Sequence, residues 1–370
     1  MNARLPGQAD APAPQKDRHA TCPYRGLPAP AYWKRSVADP LPHEVDPAQS
    51  LGFRLSPGDA IATAGSCFAQ NIARYLQASG CHYFVAERAP YLLDAETAKA
   101  FQYGTFSARF GNIYTTRQLW QLFRRAYGDF NPVDEYWRHG DRFIDPYRPA
   151  IQPEGFRSLE ELRLDRAHHL ACVRRMFEQA ACFVFTLGLT EGWENARDGA
   201  VYPVCPGCGH GEFDAALHRF VNFGVGEVVA DLEHFIVALR QVNPGVKIIL
   251  TVSPVPLIAT MSGEHVLSAT TYSKSVLRVA AGDVARRFDN VGYFPSYEII
   301  TSAASRGSYY ADDLRSVTED GVAHVMRCFF RHVMEGVDVA PPDAAQAPAV
   351  RRSLSAQVAD VVCDEERLVR

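Results

Sequence analysis

Between about residue 51 and residue 336, short apolar runs alternate with stretches whose apolar residues recur at helical spacing. The first run, DAIATAGSCF, reads as a strand from Asp59 to Thr63 that breaks at Gly65. AQNIARYLQASG then places Ile72, Tyr75 and Leu76 on one helical face and stops at Gly80. CHYFVAE reads as a second strand, and RQLWQLFRRAYG as an amphipathic helix from Arg117 to Gly128. A helix from about Asp165 to Ala180 leads into a strand from Cys182 to Leu187. Helical spacing returns at Val228, Leu232, Phe235, Ile236 and Leu239, ends at Asn243-Pro244-Gly245, and is followed by the strand KIILTVSP. The helix ATTYSKSVLRVAAGDVARRF, the strand VGYFPSYEII and the helix EDGVAHVMRCFFRHVME complete the series. Such βα alternation predicts an α/β fold with a mostly parallel sheet covered on both faces, which carries its function at the carboxyl ends of the strands.

The flanks have another texture. Residues 1–50 are rich in Pro, Ala and polar groups and read as an arm, with Tyr24, Tyr32 and Trp33 available to lie against the body. Residues 337–370 read as a Pro/Ala linker followed by a tail that is too short to fold alone. The whole chain has 370 residues, 47% of them hydrophobic and 22% charged, which excludes wholesale disorder and coiled coil. A net charge of −4 gives no chain-wide attraction to nucleic acid or anionic membrane. There is no run of about 18 apolar residues and no apolar stretch near the start, so a cytoplasmic protein without a membrane span is expected. Nine scattered cysteines argue for reduced thiols. Cys205, Cys208 and His210 fall one ligand short of the four that zinc usually takes, so a Pro/Gly turn is the expectation there, with no metal and no cofactor.

Chemistry concentrates where the first strand ends. Gly65, Ser66 and Cys67 precede a helix, so Ser66 stands where backbone N–H groups and the helix dipole favour an anion. On local sequence Ser66 is either a nucleophile or an N-cap. Cys67, if Ser66 points into a cleft, points elsewhere as a buried thiol.

GSCFAQNIARYL resembles the signature of the GSCFA family, a branch of the SGNH/GDSL hydrolase superfamily. FGNIYTTRQL, TLGLTEGW, TVSPVPLIAT, YSKSVLR and YFPSYEII are similar to the family's other blocks and extend over most of residues 60–335. The resemblance implies a flavodoxin-like three-layer α/β/α fold with Ser66 as a serine nucleophile. It further implies an ester hydrolase or O-acyltransferase, acting through an acyl-serine on small acyl groups such as acetyl of a carbohydrate substrate. The superfamily's oxyanion donors map onto Gly111 and Asn112, or less directly Gly104, and onto Gly188 and Thr190, where threonine replaces the usual asparagine.

The resemblance departs at the last block. The superfamily's DxxH falls on Asp313, Leu314, Arg315 and Ser316, and serine cannot act as imidazole does near neutral pH. The base is then either His324, eleven residues beyond Asp313, or His265, in the loop after TVSPVPLIAT; His265 is preferred for its place near a strand end. Both histidines also read as ordinary surface or half-buried residues. Glu191 is a candidate to orient a base, and Lys274 and Arg278 share a helical face that either contacts an anionic substrate or is simply solvated. Trp193, Tyr272 and Tyr297 are candidates to stack on a sugar ring or to pack in the core. The rival to an enzyme is a binding module that keeps the fold and has lost hydrolysis, with Ser316 as its mark.

Overall fold

The computed structural model of the chain describes residues 22–337 and 364–369. A central sheet carries four parallel strands: β1 (Ile61–Gly65), β4 (Cys182–Leu187), β8 (Lys247–Val252) and β9 (Val291–Phe294), ordered β1-β4-β8-β9. Successive side chains of a strand point to opposite faces, and the burial follows that period. Ala62, Ala64, Phe183, Phe185, Ile248 and Leu250 face one core, whereas Ile61, Cys182, Val184 and Ile249 face the other. The first core is covered by α3 (Thr116–Tyr127), α4 (Leu159–Gln179), α5 (Val225–Val242) and α6 (Val266–Arg287). Over the second lie α1 (Phe68–Ala78), α7 (Ser296–Thr301) and α8 (Glu319–Val333). This is a three-layer α/β/α arrangement.

Three elements differ from the sequence reading. The expected second strand, residues 81–87, makes one isolated parallel bridge, Tyr83 to Ile61, on the outer edge of β1. It extends no further because the next free amide of β1, Thr63 N–H, is taken by the Ser107 hydroxyl at 3.0 Å, while Ala86 N–H turns to the Ser107 carbonyl. Counting that bridge, the order becomes the 2-1-3-4-5 of flavodoxin-like sheets. VGYFPSYEII is not one strand: Pro295 ends β9 and α7 starts at Ser296. Finally, the region after β4, which showed no strand pattern, holds a three-stranded antiparallel sheet with β5 (Glu191–Asn195) between β6 (Val201–Tyr202) and β7 (His218–Asn222). A short hairpin, β2 (Trp137–His139) with β3 (Arg142–Ile144), precedes α4, and a small helix, α2 (Ala95–Ala100), follows the bridge segment.

Of the arm, residues 22–50 are described. Tyr24 and Trp33 are largely exposed, whereas Val45 and Ala48 are buried and Asp46 pairs with Arg331 and His332 of α8. Residues 1–21 of the arm, and the expected linker with the first part of the tail, 338–363, lie outside the described residues. The tail is described over Asp364–Val369, a turn of 3-10 helix. No helix among the described residues is long and apolar enough to cross a membrane.

Candidate active site

The site is built on the turn from β1 into α1. Gly65 has φ +134°, and a Cβ there would stand 2.3 Å from the Thr186 carbonyl oxygen of β4, so only glycine fits this close approach. Ser66 follows directly, 2% exposed, and its N–H donates to the same Thr186 oxygen at 3.1 Å. The N-cap position of α1 is Cys67, without a side-chain capping bond, and Ser66 Oγ has no hydrogen-bond partner among the described residues. Buried hydroxyls are nearly always bonded. The capping alternative for Ser66 is therefore set aside.

Two segments close around this hydroxyl. Gly188 follows β4, and a Cβ on it would lie 3.0 Å from the Ser66 Cβ and from the Tyr114 carbonyl oxygen. Gly188 N–H and Leu189 N–H both donate to that Tyr114 oxygen, while Ile113 N–H donates to the Gly65 carbonyl at 2.8 Å. The 111–114 loop is thus sewn to both strand ends. Gly111 provides a positive φ of 70°, and Asn112, 4% exposed, has its Oδ1 held by Gln70 Nε2 of α1 at 3.1 Å. Its Nδ2 donates to the Asp364 carboxylate of the tail at 2.9 Å. The Asn112 amide therefore lies beside the Ser66 turn with its donor end on an anionic oxygen.

The loop is anchored from behind by a buried charge cluster. Arg109, two residues before Gly111, donates to Asp165 and to the Ile151 carbonyl, and its N–H to Glu87 at 2.9 Å. Arg148 joins Asp145 and Asp165 in the same cluster.

The other candidates are dispersed. Thr190 is buried, with its hydroxyl donating to Asn222 Oδ1 of β7 at 2.7 Å and its N–H to Ser273 Oγ, so it braces β7 and α6. Glu191 accepts from Thr260 Oγ1 at 2.6 Å, fastening the 254–264 loop; burial pushes its carboxyl up, partly offset by that bond. His265, at the end of this loop, is exposed and caps α6, its Nδ1 accepting from Leu267 N–H at 3.2 Å. His324 is buried in the opposite layer, Nδ1 2.8 Å from the Tyr309 hydroxyl, and burial holds it down to about 4, with Arg327 adding to the shift. The structure brings neither histidine into a hydrogen bond with Ser66.

Asp313 is exposed and closes a local turn, accepting from Ser316 Oγ at 2.6 Å and from the Ser316 and Arg315 N–H groups. Lys274 and Arg278 do not form a solvated face. Lys274 is 2% exposed and donates to the carbonyl of Gly188, the residue that abuts Ser66; Arg278 pairs with Glu298 and lies 3.9 Å over the Tyr293 ring. Tyr272 is half exposed, Trp193 packs edge-on to Phe213 and Phe220, and Tyr297 packs against the core. Among the described residues no group of three or more His, Cys, Asp or Glu could hold a metal ion; Cys205 Sγ donates to the Pro206 carbonyl within its own turn.

Sequence reasoning missed Gln70, Tyr114, Arg315 and the tail acids. Gln70 could have been found, because four residues after Ser66 is one helical turn. Nothing in the sequence linked residue 364 to residue 112.

Comparison with curated proteins and with solved structures gives no match. The profile of the GSCFA family matches residues 60–329, which takes in β1, Ser66, the Asn112 loop, Lys274 and most of α8, and the chain belongs to that family.

Proposed function

We propose that the chain is a serine-dependent ester hydrolase or O-acyltransferase of the SGNH/GDSL type. The observation that carries this reading is the Ser66 hydroxyl, buried at a strand's carboxyl end and without a hydrogen bond among the described residues. In the reaction, Ser66 Oγ attacks an ester carbonyl and its proton passes to a base. The tetrahedral oxyanion is met by Asn112 Nδ2, with the Lys274 charge beneath it. The alkoxide leaves with a proton, and the acyl-Ser66 ester is then attacked by water or by a sugar hydroxyl. Gly188 shapes this crevice by its lack of a side chain, whereas Thr190 acts through the framework.

His265 is assigned as the base in preference to His324. It follows β8 at the carboxyl edge of the sheet, on a loop held by Glu191, whereas His324 is sealed against Tyr309 in the other layer. To act, its ring must come within roughly 2.6–3.2 Å of Ser66 Oγ or use one bridging water, an approach that substrate binding can complete. Small acyl groups on a carbohydrate are the proposed substrate class, and Tyr272 the exposed aromatic offered to the sugar.

A binding module is the second reading, favoured by the absence, among the described residues, of an imidazole bonded to Ser66 and by the closure of Asp313 on Ser316. Turnover of p-nitrophenyl acetate and labelling by a fluorophosphonate, each with Ser66→Ala alongside, separate the two. Equal turnover and labelling in the mutant, or none in either protein, would leave the binding module.

A further inference from the structure

The tail lies against the Asn112 loop that borders the Ser66 turn. Asp364 is 2% exposed although it is charged and close to the chain end, and its carboxylate accepts from Asn112 Nδ2 at 2.9 Å. Its backbone N–H donates to the Tyr114 hydroxyl at 3.0 Å. Glu365, 8% exposed, accepts from Arg315 Nη2 at 2.9 Å. Arg315 is itself oriented by a bond from its Nε to the Pro256 carbonyl at 3.2 Å and by its N–H to Asp313. At the far end Arg367 packs on the CPGCGH turn, its Cδ 3.2 Å from where a Gly209 Cβ would stand. A six-residue turn thus contacts three separate loops: the Asn112 loop, the Asp313–Ser316 turn and the Cys205–His210 turn.

Two features make this more than surface packing. Acidic side chains are almost never fully buried unless paired, and both tail acids are buried against donors from the crevice. One of those donors is the amide proposed above to receive the reaction's oxyanion, so the Asp364 carboxylate occupies an anion position that a reacting ester needs. The other, Arg315, occupies the block where the superfamily carries its Asp–His pair, and it presents a guanidinium to a carboxylate.

We infer that Asp364–Val369 is a built-in competitive occupant of the crevice, with Asp364 filling the Asn112 anion site and Glu365 a carboxylate subsite at Arg315, and that it must leave before substrate enters. A ligand that displaces it carries an anionic group for Arg315 besides its acyl ester. The inhibitory half of this inference rests on the Ser66 reading; the docking half does not.

The test compares the full chain with a variant ending at Cys363. An occupant that fills the crevice nine-tenths of the time lowers apparent substrate affinity by about tenfold, so removal raises kcat/KM for p-nitrophenyl acetate by about tenfold, mainly through KM. Asp364→Ala with Glu365→Ala in the full chain gives the same change, which guards against an effect of truncation itself. In parallel, a fluorescein-labelled DEERLVR peptide binds the shortened chain by anisotropy, and Arg315→Ala weakens it at least tenfold. Peptide binding at wild-type strength to the Arg315→Ala variant, or no binding at millimolar peptide, overturns the docking. Peptide binding with unchanged hydrolysis in an active shortened chain overturns the inhibition. Peptide binding in a chain that neither hydrolyses nor labels at all upholds the docking and removes the Ser66 reading.

Discussion

Two serine-bearing turns, both at the carboxyl edge of the sheet, treat their hydroxyls in opposite ways. At Asp313–Ser316 the chain closes on itself: the carboxylate accepts the serine hydroxyl and two backbone N–H groups, so the serine hydroxyl is satisfied within the turn. At Gly65–Ser66 the backbone is committed, through Ser66 N–H to Thr186 and Gly65 C=O to Ile113, while the hydroxyl has no partner among the described residues. A turn that satisfies its own polar atoms is stabilised by them, whereas one that withholds a partner from a buried hydroxyl loses stability and keeps reactivity. The comparison supports residue 66 rather than residue 316 as the seat of the proposed chemistry, although the sequence block around 313 is the one that resembles a catalytic Asp–His element.

The largest way to break this contrast is Gly65→Ala. Its Cβ would meet the Thr186 carbonyl oxygen at 2.3 Å and its φ is +134°, so a loss on the order of 4 kcal/mol or more is expected, read as little soluble protein or a collapsed denaturation midpoint. A wild-type midpoint would mean that the turn does not need glycine. Ser66→Ala acts on chemistry alone: ester turnover falls to background, while stability holds or rises by up to ~1 kcal/mol, because an unbonded hydroxyl is removed. A clear loss of stability in urea melts would show that the hydroxyl is bonded after all.

The pH response sharpens the comparison of the two histidines. His324 is held down to about 4 by burial, against about 6.5 when unfolded, so folding favours its neutral form. The unfolded chain therefore binds the extra proton between these values, and the stability His324 contributes is complete above about 6.5 and lost as pH falls towards 4. His324→Gln should flatten the fall in Tm over that interval; an unchanged slope would mean that other groups carry it. The smallest effect expected is that of Ser316→Ala, a loss of ~1 kcal/mol for one exposed turn hydrogen bond, with ester turnover unaltered. A large drop in turnover would return Ser316 to the reaction.

The sheet was largely legible. Cys182–Leu187 and Lys247–Val252 are continuous apolar runs because both faces of a parallel strand are covered, and the amphipathic helices show the faces they bury. Residues 81–87 misled because their strand-like composition says nothing of Ser107, twenty residues later, which takes the amide a second strand would have used. The small β5–β7 sheet was missed because its strands sit in a polar, turn-rich stretch and pair across more than twenty residues. At the candidate site, Ser66, Asn112 and Lys274 were named from sequence. The burial of Lys274 against the Gly188 carbonyl was not foreseen, because its neighbours along the helix do not distinguish a solvated face from one pressed on a loop.

By itself the sequence determined the order of the four central strands and the long helices that cover them, the glycine that lets β1 pass close to β4, and the serine that follows it, since these depend on side-chain period and on local backbone freedom. Only the tertiary structure decided which polar atoms meet. Among the described residues it left the Ser66 hydroxyl unbonded, set Asn112 beside it, committed His324 to the Tyr309 hydroxyl, and drew Asp364 back over 250 residues to the Tyr114 hydroxyl. Hydrogen bonds and ion pairs act over a few ångströms in space, and sequence separation does not encode that distance.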